Sequence, residues 1–375
     1  MNSTSGGQRI AVIDIARLAA ALGVLIFHAS GAAQVPKFRL PPFTVFGHTI
    51  DWLPSPFSFG ATGVSLFFVV SGYCMYRSLS ANPQPLLSYY RNRLARIYPL
   101  YFVAVLFSAV AMAVLGFAVT APEVAVVLLF LHGFVKRYNL SLNGALWSMA
   151  TEVQFYIVLP LLLRWARWIG LDRFAILAIM LSLVFRVIVQ LAGGHEATSG
   201  GLALDTFLMN LLPGRAAEFA IGMWIAGTDS ARARRYAKWL IVPAGIIGIG
   251  AKASGIAFAA EPMLGVFYGS LLIFALGGAR WFGSTRGIIP LLGRASYALF
   301  LIHLPIAVLL YPLLPHDWGL YRQFAALLAM TLAVALPAAL ALHLFVELPL
   351  FDRLRTHRRG AEPRLAAAGG DGGAP

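Results

Sequence analysis

The sequence predicts an all-α, polytopic transmembrane bundle of about ten spans plus one short re-entrant or interfacial segment, with both termini cytoplasmic. Three observations predict it. The 375 residues are 59% hydrophobic and only 12% charged, with a mean hydropathy of +0.77, a balance that belongs in a bilayer rather than around a soluble core. Apolar runs long enough to cross a bilayer recur along the chain. Lys and Arg gather in the short segments between alternate runs, as they do in cytoplasmic loops.

The long runs are approximately 10–29, 57–76, 98–118, 147–163, 174–192, 207–226, 239–252, 257–278, 295–314 and 323–346. An eleventh run, 124–134, is short for a crossing, which needs about 17–25 residues. Charge decides its reading. If it does not cross and the N-terminus is inside, the inner segments hold twenty Lys and Arg and the outer segments six. Counting 124–134 as a crossing would put two arginine-rich loops outside, so it reads as re-entrant or interfacial. The chain then divides into a cytoplasmic N-terminus (1–9), one transmembrane domain (10–352) and a cytoplasmic tail (353–375) whose Ala, Gly and Pro content reads as disordered. The outer loop 30–56, rich in Pro and aromatics, is either an ordinary loop or a lid over the outer mouth.

Several classes are set aside by composition. The net charge of +14 lies in short loops between apolar runs, so it does not mark a nucleic-acid binder. The single cysteine, Cys74, excludes an intramolecular disulfide and a cysteine metal cluster. No Walker loop, Rossmann glycine pattern or zinc-ligand spacing is present, and no metal is expected. A cleavable signal peptide ending near Gly31-Ala32-Ala33 is disfavoured because Asp14 and Arg17 interrupt its apolar region. No internal repeat is evident.

Ionisable groups inside spans are costly and point to function. Arg17 and His28 share the first run. Eleven residues at 100° each bring them to within about 20° of one face, roughly 16 Å apart along the axis. Asp14, three residues before Arg17, lies on nearly the same face. Trp147, Ser148 and Glu152 open the fifth segment, in its outer half, so His28 and Glu152 could form a base and its orienting partner. Arg93 and Arg96, one turn apart at the start of the third segment, either grip a phosphorylated ligand or simply anchor the inner face. Gly63, Ser71 and Gly72 admit the close approach of another helix or of an extended ligand arm. Arg215 and Glu218, at i,i+3, read first as a self-satisfied intramembrane ion pair. His303 has either a structural or a ligand-binding role, and a kink at Pro305 would free a carbonyl that His303 or a water could satisfy. Glu347 closes the last span at the inner face, where capping or pairing with a loop arginine is expected.

Taken in order, these motifs resemble the acyltransferase 3 family of polytopic membrane acyltransferases. The resemblance covers residues 10 to about 353. It rests on Asp14-x-x-Arg17 with His28; Phe67-Phe68-x-x-Ser71-Gly72; Arg93-x-x-Arg96-x-x-Pro99; Trp147-Ser148, Glu152 and Gln154-Phe155-Tyr156; Arg215-x-x-Glu218-Phe219; Ser296-Tyr297 with His303; and Glu347-x-Pro349. It implies transfer of an acyl group, commonly acetyl, from cytoplasmic acyl-CoA to a hydroxyl of a sugar or other acceptor. Typical acceptors are O-antigen, exopolysaccharide, nodulation factor or peptidoglycan, and some members acylate antibiotics. The family's arginine–histidine pair maps onto Arg17 and His28, and its cytoplasmic arginine pair onto Arg93 and Arg96.

Three positions depart from the family pattern. Val153 stands where a second acidic residue is usual, Ser65 where an acidic residue often precedes the phenylalanine pair, and Leu348 where an arginine often follows the final glutamate. Some relatives carry a soluble hydrolase-like domain after the spans. If such a domain presents or selects polymeric acceptors, this chain is expected either to recruit an envelope-assembly partner or to use a smaller acceptor.

The mechanism implied has acyl-CoA entering from the cytoplasm, its phosphates on Arg93 and Arg96 and its arm passing Arg17 and the Gly63–Ser71 face. His28 then acts as general base on an acceptor hydroxyl, oriented by Glu152 or a water, while Arg17, with Asp14, steadies the CoA arm or the oxyanion. An acyl-histidine intermediate is a variant. The competing class is a transporter or flippase using the same polar stripe, and a weaker one is a scaffold for polysaccharide assembly. Dependence on acyl-CoA separates the enzyme from the transporter. The setting expected is a multi-pass protein of the bacterial inner membrane.

Overall fold

The computed structural model describes residues 3–35, 43–45, 48–50, 55–192, 203–254, 256–278, 287–315 and 317–354. Every one of the ten apolar runs falls on helix. The helices are α1 (Ser3–Ala32), α2 (Gly63–Ala81), α3 (Leu86–Val114), α4 (Ala121–Leu128), α5 (Trp147–Ile169), α6 (Leu171–Leu191) and α7 (Leu204–Met209). They continue with α8 (Leu212–Gly227), α9 (Ser230–Ser254), α10 (Ala257–Gly277), α11 (Ile288–Arg294), α12 (Ser296–Leu310), α13 (Leu320–Leu342) and α14 (Leu348–Leu354). One element was not expected. Between α1 and α2, β1 (Phe43–Val45) and β2 (His48–Ile50) pair antiparallel, Thr44 against Thr49. The expected lid and the tail otherwise lie outside the described residues.

Seven of the helical segments are long and apolar enough to cross a membrane, so this is a multi-pass membrane protein. The other three runs are helical but fall short of that measure for visible reasons. Helix α5 carries Glu152, Gln154, Arg164 and Arg167 among its apolar residues. Helix α8 has only 16 residues, and α9 opens on Arg232, Arg234, Arg235 and Lys238.

The short run resolves into α4 and a pair of tight turns. Thr120 and Glu123 form a capping box at its start, and α4 ends after eight residues. Eight residues span about 12 Å, less than half a bilayer. Phe130 then takes a left-handed conformation (φ 59°) and stacks on Tyr101 at 4.1 Å between ring centroids. The chain dips on into the bundle, where Asn143 Nδ2 donates to Ser108 Oγ at 3.2 Å and to the Leu301 carbonyl at 2.9 Å. Helix α5 therefore starts deep.

Prolines inside apolar helices leave carbonyls that lipid cannot satisfy. Pro305 in α12 removes the partner of the Leu301 carbonyl, four residues earlier, and Asn143 supplies it. The sequence had suggested His303 or a water for this task. Pro160 in α5 frees the Tyr156 carbonyl in the same way, and Tyr89 Oη donates to it at 2.8 Å.

Helices α2 and α8 touch backbone to backbone. A Cβ on Gly72 would stand 2.1 Å from the Phe219 carbonyl oxygen, and one on Gly222 would stand 2.0 Å from that of Val69. Neither position tolerates a side chain, which assigns Gly72 to helix packing. Gly63 does the same against Ala20 of α1. Around this crossing the core stacks Phe68 on Phe219 (4.6 Å) and Phe219 on Phe155 (4.0 Å). That stack joins α2, α5 and α8 beside the cleft described next.

Candidate active site

A cleft with about 740 Å³ of empty space opens between α1, α2, α3, α5 and α12. Arg17, Arg96 and Arg294 line it, facing Ser71, Ser148, Glu152, Tyr156 and Tyr297. Three guanidinium groups thus look into one space lined by a single carboxylate.

Glu152 is held rather than loose. Its Oε1 accepts from Ser71 Oγ at 2.8 Å and from the Tyr156 hydroxyl, and the two hydroxyls are themselves 3.1 Å apart. Because α5 starts inside the bundle, Glu152 sits at the depth of Arg17 rather than of His28. The expected His28–Glu152 pairing is absent among the described contacts. Ser71 faces the cleft as expected of a ligand-side residue, while its neighbour Gly72 faces α8. Ser148 also lines the cleft, its hydroxyl turned back to the Ala145 carbonyl at 3.2 Å.

Arg17 is half-buried and donates to Cys74 Sγ at 3.6 Å. Asp14, the partner expected for it, is buried within electrostatic reach of Arg17 and also pairs with Arg294, at 3.8 Å. The cause is close packing: a Cβ on Gly293 would stand 2.3 Å from the Asp14 carbonyl oxygen, so the end of α11 lies against α1 at this level.

Arg93 and Arg96 do not converge. Arg96 lines the cleft and pairs with buried Glu347 at 2.8 Å, and Glu347 Oε2 also meets His343 Nδ1 at 2.7 Å. Glu347, inside a π-helical turn (His343–Glu347), thus pairs with an arginine of helix α3 rather than with the loop arginine expected. Arg93 Nη1 instead rests on Met75 Sδ at 3.0 Å, and its Nε is buried without a partner. One turn apart on α3, the two arginines point to different neighbours. The third cation of the cleft is Arg294, which the sequence reading had treated only as a topological charge.

Arg215 and Glu218 form the ion pair their spacing suggests, but they are not fully satisfied by it, since Arg215 Nε and Glu218 Oε2 are buried without a hydrogen-bond partner. Arg215 Nη1 is 3.0 Å from Glu218 Oε1, with both side chains nearly inaccessible (4% and 0%). Ser65 Oγ adds a hydrogen bond to Glu218 at 3.2 Å, and the guanidinium lies over Phe68 and Trp147.

Beyond the cleft toward the C-terminal end of α1, His28 meets His303, 275 residues away in sequence. His28 Nδ1 and His303 Nε2 are 2.8 Å apart. His303 is wholly buried, and its Nδ1 stands 2.7 Å from the Phe300 carbonyl and 3.2 Å from that of Leu299. Carbonyls only accept, so His303 Nδ1 carries a proton. With both rings neutral, His303 Nε2 accepts and His28 Nδ1–H donates. That tautomer places the basic lone pair of His28 on Nε2. Phe300 links the two halves of the site: it lines the cleft, meets Phe67 edge-on at 5.3 Å, and lies 5.8 Å from the His303 ring.

The family model described as an acyltransferase domain, acyltransferase 3, matches residues 10–340. The chain belongs to this family. Its relatives include the acyltransferase MdmB of Streptomyces mycarofaciens, 29% identical over 80% of this chain and 83% of that protein. The peptidoglycan O-acetyltransferase OatA of Listeria monocytogenes is 25% identical, over 71% of this chain and 49% of OatA. Nodulation protein 10 of Rhizobium leguminosarum is 27% identical over 33% of this chain and 42% of its own length. No solved structure matches the chain. Family membership and the seven apolar helices make this a membrane acyltransferase.

Proposed function

We propose that this acyltransferase moves an acyl group, acetyl foremost, from cytoplasmic acyl-CoA to a hydroxyl of a carbohydrate, a cell-surface polysaccharide or glycolipid. The observation that carries the reading is the coupling of a tautomer-fixed histidine pair to a cation-lined cleft through the shared ring of Phe300. Three arginines line the cleft, and although Arg96 and Arg294 also pair with Glu347 and Asp14, this gathering of guanidinium groups suits a donor bearing several phosphates. A relative named as a peptidoglycan O-acetyltransferase supports a carbohydrate hydroxyl as acceptor.

In the ten-span topology with both termini in the cytoplasm of a bacterial inner membrane, 10–352 is a single transmembrane domain and the cleft lies on the cytoplasmic side of His28. The donor enters there. Arg96, Arg294 and Arg17 hold its charged end and arm, and the thioester passes the Phe67–Phe300 pair toward His28. His28 Nε2 removes the proton from the acceptor hydroxyl as its oxygen attacks the thioester carbon. The carbon–sulfur bond breaks, and the departing thiolate takes up the proton, leaving an ester and free CoA. His303 is a positioning residue, because it holds the His28 tautomer without touching substrate. Arg17, roughly 16 Å from His28 along α1, is too far to meet an oxyanion formed there, which leaves it the donor arm. Glu152, fixed by Ser71 and Tyr156, orients that arm in the cleft rather than the imidazole.

The test supplies membranes containing the protein with radiolabelled acetyl-CoA or labelled free acetate. Label is expected in a carbohydrate or glycolipid fraction with acetyl-CoA alone. Failure to transfer from acetyl-CoA or longer acyl-CoAs, with transport of an unmodified sugar lipid, would return the buried charges to the transporter reading.

A further inference from the structure

Helices α6, α8, α9 and α10 enclose a second chamber, with about 870 Å³ of empty space, away from the cleft. Its wall is aliphatic, formed by Ile176, Ile179, Ile221, Leu240 and Val266. Its mouth is clamped: Asp172 Oδ1 accepts from Trp224 Nε1 at 2.8 Å, and Asp172 Oδ2 pairs with Arg232 at 2.9 Å. Tyr236 meets Trp224 edge-on, which gives the mouth the aromatic rim found where proteins meet lipid headgroups.

A third chamber, with about 850 Å³ of empty space, adjoins the second across Ile225 and Ile273, which line both. Its character is the opposite. Arg77, Arg234, Tyr73, Thr228 and Ser230 face it. Both arginines are exposed, and among the described residues neither forms an ion pair with a carboxylate. Arg77 Nη1 reaches only the Tyr73 hydroxyl, at 3.5 Å. Asp229 lies within electrostatic reach of Arg234, but its carboxylate accepts from the backbone N–H groups of Ala231 and Arg232 at 2.9 and 3.0 Å. Asp229 therefore caps α9 and, though its charge is felt by Arg234, makes no direct contact with either arginine that would occupy its donors. Helices α2, α8 and α10 end here and α9 begins here, so the chamber stands at one face of the membrane.

An apolar slot joined to a cationic pocket at the membrane surface matches one kind of ligand, an amphiphile with an anionic head. A soluble phosphate would use the arginines and leave the aliphatic chamber empty. A zwitterionic lipid would offer no net charge to two unpaired guanidinium groups. We propose that the adjoining chambers bind one anionic phospholipid, its phosphate between Arg77 and Arg234 and one acyl chain against Ile176, Ile179 and Val266. The site is distinct from the acyl-transfer cleft and does not depend on the donor or acceptor assigned there.

The test reads lipid retention by native mass spectrometry on the full chain in detergent, with phosphatidylglycerol and phosphatidylcholine supplied at equal concentration. The protein is expected to keep one phosphatidylglycerol in preference to phosphatidylcholine. The double variant Arg77→Gln/Arg234→Gln is expected to lose that preference, with affinity falling about tenfold or more as charge-assisted contacts are removed. Ile176→Trp, substituted at an exposed position on α6, fills the slot and is expected to lower retention even if the arginine variant does not fold. Equal retention of the two lipids by the unaltered protein would overturn the proposal, as would retention unaffected by Ile176→Trp. Displacement of the lipid by inorganic phosphate would show a free-anion site and overturn it too.

Discussion

Arg186 and Arg17 are both arginines inside apolar helices, and their surroundings could hardly differ more. Arg186 is 2% exposed, with every guanidinium nitrogen used. Its Nε donates to the Phe258 carbonyl at 3.1 Å, its Nη1 to those of Met209 and Gly214 at 3.3 and 3.2 Å, and its Nη2 to the Ala257 carbonyl and Glu261. Lys252 adds a second cation to Glu261 at 3.4 Å. This cluster ties α6, α7, α8, α9 and α10 at one corner of the bundle. Arg17 has a cysteine sulfur at 3.6 Å as its one hydrogen-bond partner among the described contacts, Asp14 and Glu152 within electrostatic reach, and the cleft in front of it. A buried charge whose hydrogen bonds are all made within the protein holds helices together. One that faces a cavity is available to a ligand.

The comparison breaks most visibly at Arg186. Arg186→Leu leaves Glu261 without its main partner, and a broken buried pair costs about 3–5 kcal/mol. Thermal unfolding in detergent should show that loss, while transfer per folded molecule stays near normal. A variant of full stability would mean the corner is not the structural anchor it resembles.

His303→Ala comes next in size. It is expected to lower kcat by about 10²-fold with donor KM unchanged, because His28 loses the acceptor that fixes its tautomer. His303→Gln, whose amide oxygen can accept from His28 Nδ1–H, should recover part of the rate. Equal loss in both variants would indicate a packing role only.

Arg17→Gln inverts the Arg186 pattern. Stability should barely change, whereas donor KM is expected to rise about tenfold or more, the size of a lost charge-assisted contact. Kinetics with varied acyl-CoA checks this, and a rise in acceptor KM alone would move Arg17 out of the donor path. The smallest effect belongs to Ser71→Ala, which removes one hydrogen bond from Glu152 and is expected to lower transfer about fivefold. No change there would make the Ser71–Glu152–Tyr156 cluster purely structural.

Only one side of this contrast was legible in the sequence: Arg17 stood out, whereas Arg186, inside the run 174–192, did not, and the reasons are physical. The i,i+3 spacing of Arg215 and Glu218 foretold their pairing because a helix brings such positions together whatever surrounds it. Arg17 and His28 on one face of α1 follow from helix geometry in the same way. Relations across helices did not follow. Glu152 was assigned the depth of His28 by counting from an outer surface, but the dip through Asn143 starts α5 inside the bundle. The meeting of His303 with His28 depends on the packing of α11 and α12 against α1, which has no local signal in the sequence. Arg294 looked like one more inner-face charge until that contact set it beside Asp14. Arg93 and Arg96 show the converse limit, since one turn of spacing allows convergence without enforcing it. The carbonyls freed by Pro160 and Pro305 are met by Tyr89 and Asn143, partners distant in sequence that no local pattern marks.

The central claim is that His28, held by His303, performs the transfer fed by the arginine-lined cleft. It is tested most directly by following labelled acetyl-CoA into the carbohydrate and lipid fractions of membranes holding equal amounts of the protein or its His28→Ala variant. The account predicts label with the unaltered protein and a loss of at least about 10²-fold in the variant, at unchanged abundance and thermal stability. Transfer by His28→Ala at the full rate would contradict it.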